Sequence, residues 1–162
     1  MDRNLGRPEL LSAVAVGDPG KRTFFIAVGE HGRWLRVWLE KQDVQALAAA
    51  IRELFLRLSQ MGIGSSAKNE DSVGNMTSKL PAAELELREA SLGFEDGNGR
   101  LDFVVEAVGP SKESQSLETR PTLAQLKSFA DEAEKVCSAG RPICSVCGQP
   151  IDPSGHDCPG KN

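Results

Sequence analysis

Arg33-Trp34-Leu35-Arg36-Val37-Trp38-Leu39, followed by Glu40-Lys41-Gln42-Asp43, marks the point where the hydrophobic period of this chain changes. Up to Leu39 the period is two. Leu35, Val37 and Leu39 fall on one face, and Trp34, Arg36 and Trp38 on the other, as on a strand with one face in a core. From Val44 the period is 3.6. Val44, Leu47, Ile51, Leu54, Leu58 and Met61 step by three and four, which draws one stripe along a helix. Asp43 is the expected N-cap, because its carboxylate can accept from the unbonded N–H groups of the first turn. Gly62 is the expected stop.

Upstream, two more strands are expected. Leu10–Val16 is short and apolar, Asp18-Pro19-Gly20-Lys21 has turn chemistry, and Thr23–Val28 is rich in aromatic and β-branched residues. Gly29-Glu30-His31-Gly32 turns the chain into Arg33. Three antiparallel strands and a helix follow. Downstream, Gly62 to Pro81 is polar and reads as a linker. The pattern then resumes. Ala83–Phe94 is a strand, Asp96-Gly97-Asn98-Gly99 a hairpin turn, Leu101–Val108 the returning strand, and Leu117–Arg120 a short third one. Thr122 and Gln125 have the spacing of a capping box for a helix to Ala139, which Gly140 ends.

Shifting the first half by 79 residues superimposes the landmarks. Gly20 falls on Gly99, Phe24 on Phe103 and Ile26 on Val105. Val44, Leu47, Ile51, Leu54 and Leu58 fall on Leu123, Leu126, Ala130, Ala133 and Cys137. The expectation is an α+β domain over residues 1–139: a duplicated β-β-β-α unit, with halves at about 9–61 and 83–139 and a linker at 62–82. Its antiparallel sheet carries both helices on one face. Cys137, on the buried stripe, is expected to pack as a small hydrophobe rather than to bind metal or attack.

The remaining residues, 140–162, read as a small zinc module. Cys144-Ser145-Val146-Cys147-Gly148 is a two-thiol bite in which glycine lets the backbone turn around the sulfurs. His156 and Cys158 follow, with a turn made plausible by Gly155 and Pro159. A Cys3His set of Cys144, Cys147, His156 and Cys158 suits zinc, whereas magnesium and calcium prefer oxygen. The alternatives are a disulfide or a redox Cys-x-x-Cys. The latter belongs at a helix start, and here the pair lies between Pro142 and Pro150 with no helical period.

The chain of 162 residues carries a net charge of −4, which argues against nucleic acid or an anionic membrane as the main partner. No apolar run approaches the ~18 residues of a membrane span, and the N-terminus lacks an apolar signal core. Clustered cysteines without an export signal fit a reducing cytoplasm.

Several stretches together resemble an uncharacterised family, domain of unknown function 3090. They are Thr23-Phe24-Phe25, Leu39-Glu40-Lys41-Gln42, Gly140-Arg141-Pro142 and the block from Cys144 to Pro159. Ser145 stands where that family commonly has proline, and the 62–81 segment differs too; neither departure removes a ligand. The resemblance implies a cytoplasmic bacterial protein, mainly actinobacterial, and brings no activity.

Three functions are weighed on these residues. The first is a non-enzymatic binding or adaptor protein with structural zinc, since Cys3His leaves zinc no open position for substrate. Trp34, Arg36 and Trp38 would be its partner-binding or self-association face, because Trp and Arg dominate binding hot spots. The second is an enzyme with a pocket near those three residues. The third is an RNA or nucleotide binder stacking bases on them. Glu30, His31, Glu40 and Lys41 are read as solvated charges rather than an acid–base group. Converging charges in a pocket would favour the enzyme, and a flat apolar face the adaptor.

Overall fold

A computed structural model describes residues 3–18, 21–30, 32–63 and 80–138. The elements run β1 (Arg3–Gly6), β2 (Leu10–Val16), β3 (Thr23–Glu30), β4 (Arg33–Leu39), α1 (Lys41–Gln60), β5 (Ala83–Glu95), β6 (Asn98–Ala107), β7 (Ser114–Thr119) and α2 (Leu123–Ser138). All strands join one seven-stranded sheet in the order β1-β7-β6-β5-β4-β3-β2. The expected α+β class and both helices are present.

The sheet is mixed, which corrects the antiparallel expectation. Within β2-β3-β4 and β5-β6-β7 the pairs are antiparallel, but β4–β5 and β1–β7 are parallel. The reason lies in the connection. α1 stands between β4 and β5, so the chain travels back along a helix and re-enters the sheet in its original direction. β1 is a strand that the hydrophobic pattern did not disclose; its four residues bury only Leu5.

The sheet must also curl. β1 and β2 occupy opposite edges, six inter-strand spacings apart, which is about 29 Å in a flat sheet. Gly6 and Leu10 are joined by a link that can span only about 14 Å. The edges therefore bend toward each other, and α2 packs against β2. Gln125 Nε2 donates to the Pro8 carbonyl at 2.7 Å, and the Ser12 hydroxyl donates to Glu132. Inside the curl, one core takes Leu11, Ile26, Val37, Leu85, Phe103 and Leu117 from the strands, Val44 and Ile51 from α1, and Leu126, Phe129 and Ala133 from α2. Arg52 links the helices through Asp131 at 2.5 Å and Glu134 at 2.9 Å.

Helix ends are set locally. Glu40, not Asp43, is the N-cap of α1. Asp43 sits three positions in, and its Oδ2 accepts from the Glu40 N–H at 3.0 Å, so its carboxylate still serves the first turn. At the other end Gly62 takes φ 78°, and the Ile63 N–H reaches back to Leu58 O at 2.8 Å. The capping box of α2 forms as expected: Gln125 N–H donates to Thr122 Oγ1 at 3.1 Å, and Thr122 N–H to Gln125 Oε1 at 2.9 Å. The β5–β6 turn is Asp96-Gly97, both at positive φ.

Candidate functional site

The face bearing Trp34, Arg36 and Trp38 is a second small core. Trp34 is only 2% exposed and packs with Leu10, Phe25 and Ala27; Trp38 is half-buried beside them. Phe25 meets Trp34 at 6.0 Å between ring centroids and Trp38 at 5.3 Å, edge-on. The Arg36 guanidinium lies over Phe25 at 4.8 Å and over both tryptophans at 5.2 Å, and is held by Glu84 at 2.7 Å. A cation against three π faces covers apolar area while keeping its charge paired. Of the partner-binding face expected at Trp34, Arg36 and Trp38, Trp34 is thus covered from within the chain, by Arg36 and the β2 residues.

Trp38 has a second role. It lines a cavity of about 670 Å³, in the range of small-molecule sites, at the junction where β4 becomes α1. The last β4–β5 pair is Trp38 with Glu86. Beyond it α1 departs at Lys41, while β5 carries an irregularity between Leu87 and Glu89. The strands stop running together and a cleft opens at the carboxyl end of a parallel strand, facing a helix N-terminus. That is where α/β units hold ligands. Arg22, Thr23 and Phe24 form the β3 wall, and Val136 and Cys137 at the end of α2 form another.

Charges in the cavity divide into used and unused. Arg88 is bound to Glu106 at 2.6 Å, with Glu86 at 3.9 Å. The hydrogen bond from Arg88 holds the Glu106 carboxyl below its ordinary range. Asp43 is taken by the helix cap. Arg22 differs: its Nε is buried with no hydrogen-bond partner among the described residues. Lys41, at the first position of α1, has no ion pair among them. The N–H groups of Lys41 and Gln42 have no carbonyl one turn earlier to bond. Cys137 is a free thiol, partly buried against the core as expected. Burial pushes its pKa up, and the charge of Lys41 pulls more weakly in the other direction.

The sequence reading named Trp38 as a site residue, took Glu40 and Lys41 for solvated charges, and did not raise Arg22 or Arg88. A signal existed for Arg22. The β3–β4 hairpin ends on the pair Phe24–Leu39, and Arg22 and Lys41 both line the cavity just beyond it. Cys144, Cys147, His156 and Cys158 lie outside the described residues. Among the described residues no cluster of His, Cys, Asp or Glu could hold a metal ion, and no helix is long and apolar enough to cross a membrane.

The model of a family described as "Protein of unknown function (DUF3090)" matches residues 4–158. The chain belongs to this family. The matched span runs through both halves of the sheet and all four sulfur and imidazole residues of the C-terminal block. Comparison with curated proteins and with solved structures returned no match.

Proposed function

We propose that this is a non-enzymatic binding protein whose cavity at the β4–α1 junction takes a small ligand, with a zinc-stabilised C-terminal module beside the α+β domain. The single observation that carries the reading is the cavity itself: about 670 Å³, with Phe24, Trp38 and Leu39 beside charged side chains of both signs on its wall. Catalysis is less well supported than binding. Cys137 is the one thiol on the wall, and burial favours its unreactive protonated form. Among the described lining residues no histidine stands by to activate it.

Native mass spectrometry of gently purified protein tests the reading. A co-purifying small molecule is expected, and Val136→Trp, which fills the cavity, should release it while the fold is kept. A protein that never carries such a mass, and whose melting temperature no acidic, basic or neutral metabolite raises, would refute it.

Zinc enters the proposal through donor chemistry. Three thiolates and one imidazole make a closed tetrahedral set, and a 23-residue tail with few apolar groups needs metal to fold. Elemental analysis should find about one zinc per chain. Cys144→Ser should lose the metal and leave the far-UV circular dichroism of the main domain largely unchanged. A thiolate zinc site of this kind fits a reducing cytoplasm.

Duplication of the β-β-β-α unit is part of the same reading, with a staggered register. A shift of 79 carries Leu10 onto Glu89 and Val44 onto Leu123. Leu10 pairs with Gly29 and Glu89 with Val104, so the second strands relate by 75; Val28 pairs with Leu35 and Phe103 with Leu117, so the third relate by 82. The stagger follows loop length. Residues 17–22 join β2 to β3, but only Asp96 and Gly97 join β5 to β6; residues 108–113 then lengthen the second half's next turn, which carries the shift past 79 to 82. Under this register Gly99, not Phe103, is the counterpart of Phe24.

A further inference from the structure

We infer that the C-terminal segment, residues 139–162, docks on the outer face of the β2-β3-β4 half of the sheet and completes the cover that Arg36 begins over Leu10, Phe25, Ala27, Trp34 and Trp38. This seat belongs to the module proposed above and rests on that reading only for the module being folded. Both helices contribute to the core inside the curl, whereas no described helix contributes an apolar residue to the outer cluster. A sheet face without a layer on it is ordinarily polar and wet. The β5-β6-β7 half follows that rule. On its outer face Glu89, Ser91 and Ser116 are exposed, and Arg100, Asp102 and Glu118 are half-buried in ion pairs.

The β2-β3-β4 half breaks the rule. On the same face Ala27 is inaccessible, and Leu10 and Phe25 are 1% and 5% exposed. Val14 and Trp38 extend this cluster to its rim. The Arg36 guanidinium lies over three of its rings, but an apolar patch of six side chains on a sheet calls for a packed layer.

The position of the chain end names the layer. α2 ends at Ser138, and Val136 and Cys137 in its last turn share a cavity wall with Trp38. The segment from residue 139 therefore starts one cavity away from the rim of the cluster. Along β4 the cluster runs from Trp38 to Trp34, about 13 Å. The residues between Ser138 and Cys144 reach about 17 Å when extended, enough to lay the module across it. Composition agrees. Ile143, Val146 and Ile151 belong to a segment too short to bury them in an interior of its own. Pro142, Pro150, Pro153 and Pro159 add the residue type that packs on aromatic-lined surfaces. The charges of Arg141, Asp152, Asp157 and Lys161 cancel, which suits a face whose Arg36 is already paired with Glu84. The stretch at 64–79 is the competitor, since Ala82 N–H donates to Trp34 O at 2.7 Å just beyond it. It is poorer in apolar residues, with Val73 and Met76 its large ones, and Leu80 at its exit is 92% exposed.

Trp34 and Trp38 are the chain's two tryptophans, and there is no tyrosine, so intrinsic fluorescence reports on this face. The full-length protein is compared with Ile143→Asp and Ile151→Asp, each of which sets a charge in the contact. Acrylamide quenching should rise at least twofold in each and emission move to longer wavelength, with far-UV circular dichroism and zinc content unchanged. From the other side, Val14→Arg at the rim should speed hydrogen exchange in peptides from 140–162 at least tenfold. If an Ile variant loses zinc, Val14→Arg decides, because it leaves the four ligands and their neighbours untouched. Quenching and exchange like the parent's in a zinc-loaded protein sink the docking and leave the zinc module standing; the same result in a protein that never held zinc sinks both. A rise in quenching produced by Val73→Asp instead gives the face to the 64–79 stretch. Parent quenching that falls as protein concentration rises gives it to a second copy. Either outcome overturns the inference.

Discussion

The chain passes from strand to helix twice, and the two junctions are put to opposite uses. At the second, where β7 leads into α2, everything is closed. Gly99 N–H donates to Pro121 O at 3.0 Å, and Gly99 lies so near Leu126 that a Cβ there would come within 2.3 Å of its side chain. Gln125 caps the helix and also holds the Pro8 carbonyl. At the first junction, where β4 leads into α1, Phe24 stands on the wall of an opening. The cap is made by Glu40 and Asp43 alone, and the space beside it is a cavity. The lesson concerns side-chain size at one strand position. Gly99 lets α2 settle onto the sheet, whereas Phe24 lines the open space beside the start of α1.

That contrast predicts where substitutions cost stability and where they cost binding. The largest effect belongs to the closed junction. Leu126 is fully buried in the core, so Leu126→Ala should cost about 2–5 kcal/mol in urea unfolding. Lys41→Gln at the open junction should stay within about 0.5 kcal/mol of the parent, as an unpaired surface-type change does. Equal costs at both positions would erase the distinction.

Next in size is Gly99→Ala. The new methyl must displace Leu126, which is surrounded by core, and about 1–3 kcal/mol of destabilisation is expected. The clash should vanish when Leu126 is shortened. The double variant Gly99→Ala with Leu126→Ala should therefore cost less than the two single changes combined. Strict additivity in a double-mutant cycle would mean that the two residues are not in contact.

The open junction should show the reverse sign. An unsatisfied buried N–H costs about 1–3 kcal/mol, so removing it recovers part of that amount. Arg22→Met keeps the length of the stem and deletes the orphan Nε. The melting temperature should stay level or rise, the pattern of a residue kept at some expense to stability. A clear fall in melting temperature would show that Arg22 holds the fold together.

Much of this architecture could be read from residue patterns. The stripe from Val44 to Leu58 and the Thr122–Gln125 box gave both helices within a few residues, because they are local signals. β1 escaped notice since Arg3–Gly6 has one buried side chain, and its strand character comes from pairing with β7, far along the chain. The parallel pairs were missed for the same reason: direction is decided by how α1 crosses, which periodicity does not encode. On the site, Glu40 and Lys41 were visible as a charged junction, but nothing local joined them to Arg22. That link needs the hairpin register. For Trp34, alternation assigns a face without saying what covers it, and Arg36 is the cover.

The smallest effect concerns Cys137, the sulfur on the wall of the open cavity. Its folded pKa is raised, chiefly by burial, and Lys41 opposes the shift. At neutral pH the thiol should therefore alkylate more slowly than an unhindered cysteine, as read by peptide-resolved mass spectrometry with iodoacetamide. Lys41→Gln removes the opposing charge, so the pKa should rise further and the rate fall again. The sign for stability follows from the same shift. A group whose folded pKa lies above its unfolded value contributes stability that is complete below the unfolded pKa and lost as pH rises through the folded one. Stability should thus decline modestly on the alkaline side of the ordinary thiol range, and Cys137→Ala should flatten that decline. No thiol sits at the closed junction, and substitutions there should leave the alkaline limb untouched. If Lys41→Gln speeds alkylation instead, access to the cavity and not charge controls the sulfur, and Lys41 acts as a lid over the opening.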